Sequence, residues 1–181
     1  MWIRTETQDD HPAIRELLGE AFADADGNGS VEQRIVDALR DDGELSLCLV
    51  ADIDGRIAGV AVFSPVAIEG AKSWYGLGPV AVAPRDQGHG VGTALIRAGL
   101  AEIADQGAAG CVVLGEPGYY QRFGFRNDGE LRYSDAPPQY FQSLAFSDDG
   151  AKGDVRYHAS FSGTSHWGVP IGAALVARRR V

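Results

Sequence analysis

The residues best suited to chemistry lie in one glycine-rich turn, where Gln87 is followed by Gly90 and Gly92 in the pattern Gln-x-x-Gly-x-Gly. Gly88 adds a third glycine, which lets the backbone bend tightly and leaves its N–H groups accessible. An apolar strand precedes the turn, and apolar residues at helical spacing follow it over residues 91–106. A helix N-terminus presents unpaired N–H groups and partial positive charge, so the turn predicts a site for a phosphate or pyrophosphate group.

Two other glycine-rich phosphate motifs do not match this turn. A dinucleotide-binding fingerprint, Gly-x-Gly-x-x-Gly, would begin at Gly88 or Gly90, and its third glycine would then fall on Thr93 or Leu95. A P-loop requires a lysine at fixed spacing after the glycines, and the turn has none. The structural alternative is a strand-to-helix turn that shapes the backbone and binds nothing.

A second segment, residues 115–125, follows an apolar strand at 111–114 and contains the pattern Tyr-x-x-x-Gly-Phe, which begins at Tyr120. Together with the glycine-rich turn, this pattern resembles the motifs of the GNAT superfamily of N-acetyltransferases. The doubled tyrosine and the run Arg-Phe-Gly-Phe are similar to the YhbS-like subgroup of that family. The resemblance covers residues 2–161.

The resemblance implies an N-acetyltransferase that moves an acetyl group from acetyl-CoA to a primary amine of a small molecule or peptide, by direct attack in a ternary complex. The pantetheine arm of the co-substrate would pair with an exposed strand backbone, and its pyrophosphate would accept hydrogen bonds from the turn. The residues implied to bind acetyl-CoA are Val80, Ala81, Val82, Gln87, Gly88, His89, Gly90, Val91, Gly92 and Thr93. Tyr120 is the implied proton donor to the departing CoA thiolate, whereas Tyr119 is interpreted as a packing residue. Arg85 and Arg97 are either contacts for outlying phosphate charge or solvated surface residues.

No general base is evident in the sequence, because the strand at residues 75–83 carries neither a carboxylate nor a histidine. Glu69, Glu116 and His89 are candidates, and we favour a water chain that carries the ammonium proton to solvent. The histidines and cysteines have no metal-ligand spacing, so no metal is expected. The alternative function is a non-catalytic acyl-CoA-binding module, such as a sensor or an assembly subunit. An oxidoreductase that uses a nicotinamide dinucleotide does not fit the turn.

The composition is that of one soluble globular domain, with 181 residues, 45% apolar and 23% charged. The net charge of −9 disfavours a nucleic-acid partner and suits a cationic acceptor. Cys48 and Cys111 lie in apolar runs and are expected to be reduced. No apolar run is long enough to span a bilayer and no signal-peptide core is evident, so we expect a cytoplasmic protein without a membrane partner.

The elements that must position these motifs indicate an α/β protein of the α+β kind. A strand at 2–5 precedes two amphipathic helices, the first capped by Asp9 or Asp10 and the second opened by a capping box at Ser30. Hairpins that turn at Asp54-Gly55 and at Glu69-Gly70 then lead into a strand–helix–strand unit. A doubly wound fold would alternate strands and helices from the start. The resemblance implies the GNAT acyl-CoA N-acyltransferase fold, a mixed, mostly antiparallel sheet that is splayed at its central parallel pair and has helices on both faces.

Residues 1–161 are predicted to form a single GNAT domain, and residues 162–181 an extension of unknown role. Strands at 140–146 and 155–161 are expected to pair as a closing hairpin. The extension has an apolar run at 169–177 and three arginines. Three alternatives stay open for this extension: an added edge strand, an intersubunit contact in a homodimer, or a disordered tail.

Overall fold

The structure is a computed structural model that describes residues 1–22, 31–148 and 150–162. Its helices are α1 (His11–Ala21), α2 (Val31–Asp41), α3 (Val91–Asp105) and α4 (Pro117–Tyr120). Its strands are β1 (Trp2–Thr5), β2 (Leu47–Ile53), β3 (Arg56–Ile68), β4 (Ala71–Val82), β5 (Gly110–Leu114), β6 (Leu131–Arg132), β7 (Phe141–Ala145) and β8 (Gly153–Arg156). Short 3-10 helices lie at Gln8–Asp10, Pro84–Asp86, Gln121–Phe123, Pro138–Tyr140 and Ala159–Phe161.

The strands form one mixed sheet in the order β1-β2-β3-β4-β5-β7, with β8 paired to β3 and β6 paired to β8. The central pair β4–β5 and the short pair β6–β8 are parallel, and the other pairs are antiparallel. The apolar clusters place α3 on one face of the sheet and α1 with α2 on the other. This architecture confirms the predicted α+β class, with helices on both faces of a mostly antiparallel sheet.

The period of two along the strands explains how one sheet supports helices on both faces. Leu49 and Phe63 project into the cluster under α3, whereas their neighbours Val50 and Val62 project towards α1 and α2. A third apolar cluster, which includes Trp74, lies on the part of the sheet formed by β4, β5 and β7. Both faces are therefore buried around the point where β4 meets β5.

The two predicted hairpin turns are confirmed. Asp54 and Gly55 connect β2 to β3 with φ values of 54° and 78°, the left-handed pair that a two-residue hairpin of the favoured twist requires. Gly70 has φ of 77° in the turn between β3 and β4. The turn at Gly70 helps to set the register between β3 and β4, and β4 then leads to the glycine-rich turn.

The cap of α1 differs from the expected one. Asp10 occupies the N-cap position, but its carboxylate accepts hydrogen bonds from the Thr7 N–H at 2.7 Å and from Arg4 Nη1 at 2.6 Å. The Arg4 guanidinium holds the pKa of this carboxyl well below its usual range. The acid thus joins β1 to α1 instead of capping the helix.

The predicted closing hairpin is wrong. β7 pairs with β5, and β8 pairs with β3 and β6. All five residues of β5 are buried, so its outer edge needs a strand partner to satisfy the backbone polar groups there, and β7 supplies it. The second strand is also shorter than expected: it ends at Arg156, and Ala159–Phe161 is a 3-10 helix.

Some expectations fall outside the described residues. The capping box at Ser30 and the extension beyond Ser162 lie there, so the predicted boundary of the domain and the role of the extension stay predictions. Among the helices of the described ranges, none is both long and apolar enough to cross a membrane.

Candidate active site

The sheet opens where β4 separates from β5. Their parallel ladder runs from Trp74 opposite Gly110 to Leu77 opposite Val113 and then stops. β4 continues to Val82, where its other edge still pairs with Gly59 of β3. Residues 78–82, which include the predicted Val80, Ala81 and Val82, therefore have a backbone edge that no strand of the described chain covers.

A β-bulge marks the start of this opening. Ala61 pairs with Val80 and Phe63 pairs with Leu77, so two residues of β4 oppose the single Val62. An extra residue bends its strand and increases the local twist, which turns β4 away from β5. One of the two is Pro79, which has no N–H to contribute to a ladder. The predicted splay of the central parallel pair is present in the structure.

The glycine-rich turn lies at the end of β4 and leads into α3. Gly88 and Gly90 have φ of 78° and 83°, in the left-handed region that favours glycine, and Gly90 is the N-cap of α3. The first N–H of this stretch that donates to the backbone is that of Ala94, which bonds the Gly90 carbonyl at 3.0 Å. In the described part of the chain, the N–H groups of residues 87–93 have no protein acceptor. They form an open helix end of the kind that can bind an anion.

Side chains around the turn hold it in place. The amide of Gln87 donates from Nε2 to the carbonyl of Val82 at 3.1 Å, which fixes the turn to the end of β4. Asp86 accepts from Arg56 Nη1 at 2.7 Å, and this guanidinium lowers the pKa of the Asp86 carboxyl. Arg56 thus compensates the one acidic charge in the 3-10 helix beside the turn. His89 and Arg85 are exposed to solvent.

Tyr120 lies under the opening on the face that α3 covers. Its side chain is completely buried, and its ring packs on Gly115, where a Cβ would come within 2.2 Å of Cε2. Its hydroxyl has no hydrogen-bond partner among the described residues. Burial raises the pKa of Tyr120 well above its usual value, and the nearby Tyr119 and Cys111 add to the shift.

Tyr119 lies closer to the turn than the sequence indicated. Its ring packs on the core, as predicted, but its hydroxyl is 3.2 Å from where a Cβ on Gly92 would stand. The guanidinium of Arg122 stacks 4.7 Å above the centre of the ring. The doubled tyrosine was the only sequence signal for this placement.

The candidate bases are scattered over the surface. Glu69 lies in the hairpin turn two residues before Ala71, where β4 begins. From Ala71 the strand runs six residues to Leu77, so at least about 20 Å of extended strand separates Glu69 from the opening. Glu116 is the exposed N-cap of α4 and His89 is exposed in the turn. Within the described ranges, no three His, Cys, Asp or Glu side chains are grouped in a way that could hold a metal ion.

One half-buried acid escaped the sequence analysis. Glu32 lies one turn before Ile35 and Val36 and two turns before Leu39, so it continues the buried stripe of α2. Burial raises the pKa of its carboxyl. The sequence signal that could have identified it is the helical i, i+3, i+4, i+7 spacing of Glu32 with the apolar residues of α2.

A shallow surface groove of about 360 Å³ runs along α3. Arg97 and Arg122 supply its charge, and its walls are apolar, from Leu100, Ala101, Ala104, Phe123, Leu144 and Phe146. Arg97 lies five residues beyond Gly92 on α3, about 7.5 Å along the helix axis. The groove therefore begins close to the glycine-rich turn.

Comparison with known proteins agrees with this geometry. Residues 2–127 match the family described as Acetyltransferase (GNAT) domain. The uncharacterised N-acetyltransferase YhbS of Escherichia coli K12 is 36% identical over 171 residues, which cover 90% of this chain and 99% of that protein. A GNAT family acetyltransferase of Brucella melitensis, solved with acetyl-CoA, is 48% identical, with a TM-score of 0.75 over 88% of this chain and 97% of that one. Escherichia coli YhbS, solved with CoA, superposes with a TM-score of 0.81 over 88% of this chain and 91% of its own. The chain belongs to the GNAT family of acetyltransferases.

Proposed function

We propose that this protein transfers an acetyl group from acetyl-CoA to a primary amine of a small molecule or peptide. The observation that carries the proposal is the pairing of two features: a strand edge at residues 78–82 that no described strand covers, and a neighbouring turn whose N–H groups have no acceptor among the described residues. A ligand with a diphosphate and an amide-bearing arm satisfies both at once. Two similar proteins were solved with such ligands, acetyl-CoA and CoA.

The proposed binding mode of acetyl-CoA depends on the backbone N–H groups that have no acceptor among the described residues. The N–H groups of residues 88–93 would hold the pyrophosphate, and the arm would add to the sheet along Val80–Val82 as an extra strand. Gln87 contributes its backbone, because its side chain already bonds Val82. The arginine-lined groove beside the turn offers apolar walls and positive charge to the adenosine 3′-phosphate end.

The transfer itself needs a neutral amine. The ammonium loses a proton to water, the amine nitrogen attacks the thioester carbonyl carbon, and the carbon–sulfur bond breaks to release the CoA thiolate. The nitrogen then loses its second proton to solvent, and the thiolate is protonated to the free thiol. The acidic net charge of −9 favours the approach of a cationic acceptor.

Tyr120 would donate a hydrogen bond to the departing thiolate. An ordinary phenol has a pKa about 1.5 units above that of a thiol, so complete proton transfer is already uphill. Burial raises the pKa of Tyr120 further, which keeps the phenol protonated and favours hydrogen-bond donation over full transfer. The unpartnered hydroxyl in the core is consistent with this use.

A thiol-release assay with acetyl-CoA over primary amines, amino acid amides and peptides tests the function. Thiol release that depends on one class of amine, with the acetylated product identified by mass spectrometry, is the expected result. Tight acetyl-CoA binding with no thiol release across the whole panel would instead establish the non-catalytic acyl-CoA-binding module.

A further inference from the structure

A second buried hydroxyl lies at the opening on the opposite face of the sheet. Tyr157 follows β8, and its ring lies on Gly76 of β4, where a Cβ would come within 2.5 Å of Cε1. Gly76 immediately precedes Leu77, the last residue of β4 that pairs with β5. The ring contacts Tyr133 and Phe161, with centroids 5.0 Å and 5.2 Å away. This places Tyr157 beside the base of the opening, on the face away from α3.

Ser64 adds a third hydroxyl at the same point. It is the direct partner of Gly76 in the β3–β4 ladder, and such partners project to the same face of a sheet. Ser64 is completely buried. Neither Ser64 Oγ nor Tyr157 Oη has a hydrogen-bond partner among the described residues.

Tyr157 and Tyr120 lie on opposite faces of the sheet. Tyr120 packs in the cluster under α3, whereas Tyr157 packs with Tyr133 on the other face. Burial raises the pKa of the Tyr157 phenol well above its usual value. The Tyr157 ring lies on Gly76, one residue before the end of the β4–β5 ladder, and the Tyr120 ring lies on Gly115, just beyond the end of β5.

Packing alone does not account for these hydroxyls. A buried hydroxyl without a partner is unfavourable, and phenylalanine and alanine would fill the same positions without that cost. Buried polar groups in proteins almost always have a partner, which is protein, ordered water, an ion or a ligand, so each of these hydroxyls marks a position where a partner can bind.

We propose that Tyr157, supported by Ser64, holds the acceptor amine over the thioester carbonyl, on the face of the sheet opposite Tyr120. This rests on the proposed transferase function. A hydroxyl accepts a hydrogen bond from an amine N–H and carries no charge, so it positions the nitrogen while favouring the ammonium form less than a carboxylate would. The amine lone pair thus stays available for attack. The Phe161 ring covers Tyr157 on the side of α2, so the proposal requires this ring to move aside when the acceptor binds.

The test compares Tyr157→Phe and Ser64→Ala with wild type. Tyr133→Phe is the matched control: Tyr133 is a buried tyrosine of the same cluster, and its hydroxyl lies beside the Asp135 carboxylate. The probe is the amine with the highest thiol release in the panel, and acetyl-CoA affinity is measured by calorimetry. We expect Tyr157→Phe to lower kcat/KM for the amine about tenfold, chiefly through KM. Acetyl-CoA affinity should stay within about twofold, and Tm should be unchanged or higher.

Two results overturn the inference alone. One is a kcat/KM for Tyr157→Phe equal to that of Tyr133→Phe while the wild type is active, which would show that the Tyr157 hydroxyl has no role in acceptor binding. The other is a fall in Tm together with weaker acetyl-CoA binding, which indicates a structural role for the hydroxyl. Wild-type protein that acetylates no amine of the panel overturns the proposed function itself, and this inference with it.

Discussion

Replacing Tyr120 with phenylalanine removes one oxygen atom from the core and should affect stability and turnover in opposite directions. The hydroxyl is buried and has no partner among the described residues, so its loss relieves an unsatisfied polar group. Such a group costs about 1–3 kcal/mol, and part of the gain is offset by lost packing around the oxygen. We expect a net gain of about 1 kcal/mol, which for a domain of this size raises Tm by about 2–4 °C.

The same change should lower kcat about a hundredfold, the lower end of effects seen for general acids. This corresponds to about 2.7 kcal/mol of lost transition-state stabilisation. Differential scanning calorimetry and a thiol-release assay measure the two quantities on the same preparations. Tyr133→Phe is again the control, and there we expect kcat close to that of wild type and no rise in Tm.

Dependence on pH adds an independent check on Tyr120. Because burial raises its pKa above the usual value, the phenol is protonated throughout the range below about pH 10. Ionisation of Tyr120 therefore leaves stability unchanged below about pH 10 and lowers it only as the pH rises further, when the unfolded chain ionises first. The pH–rate profile of the wild type should therefore show no fall at or below about pH 10 that is absent from the profile of Tyr120→Phe. Unchanged turnover in this variant, or such a fall, would refute the role of Tyr120.

Three other residues give further predictions. Gly90→Ala should cost about 1–2 kcal/mol, because φ of 83° strains any residue with a Cβ; chemical denaturation measures this, and wild-type stability would contradict it. Glu32→Gln should raise Tm at pH 8 and leave it unchanged at pH 4. Burial raises the pKa of the Glu32 carboxyl, so the fold is most stable at low pH, where this acid is neutral, and loses stability as the pH rises and the acid ionises. A lower Tm of the variant at pH 8 would show instead that the carboxylate is stabilising. Arg97→Ala should weaken acetyl-CoA binding about threefold to tenfold, measured by calorimetry, but leave binding of dephospho-CoA unchanged; equal losses for both ligands would remove Arg97 from the 3′-phosphate site.

Local signals predicted the part of the site that is made of backbone. The glycines at 88 and 90 adopt left-handed φ, which glycine does at lower cost than any other residue, and the helix that follows has the expected start at Val91. The hairpins at Asp54-Gly55 and Glu69-Gly70 are likewise local, so their turn residues were sufficient evidence. The position of Tyr120 relative to Gly124 and Phe125 was also visible in the sequence, although its complete burial was not.

Long-range pairing accounts for the errors. The segment at 141–145 has the pattern of a strand, but nothing in it specifies β5 as the partner in place of β8. The choice depends on which buried edge would otherwise be left with unpaired N–H and C=O groups. Similarly, Asp10 was correctly placed at the start of α1, but its carboxylate bonds Arg4 and Thr7, and this arrangement exists only when β1 lies beside that end of the helix.

The sequence alone determined that an exposed helix N-terminus follows an apolar strand, because glycines at this spacing allow the left-handed backbone that the sharp turn between strand and helix requires. Only the tertiary structure decided where the sheet opens, because the opening results from a two-against-one register between β4 and β3 that neither strand encodes separately. It also placed Tyr157 and Ser64 around Gly76 on one face of the sheet and Tyr120 on Gly115 on the other. These residues are far apart in the chain, and their placement depends on strand pairing and packing that involve the whole domain.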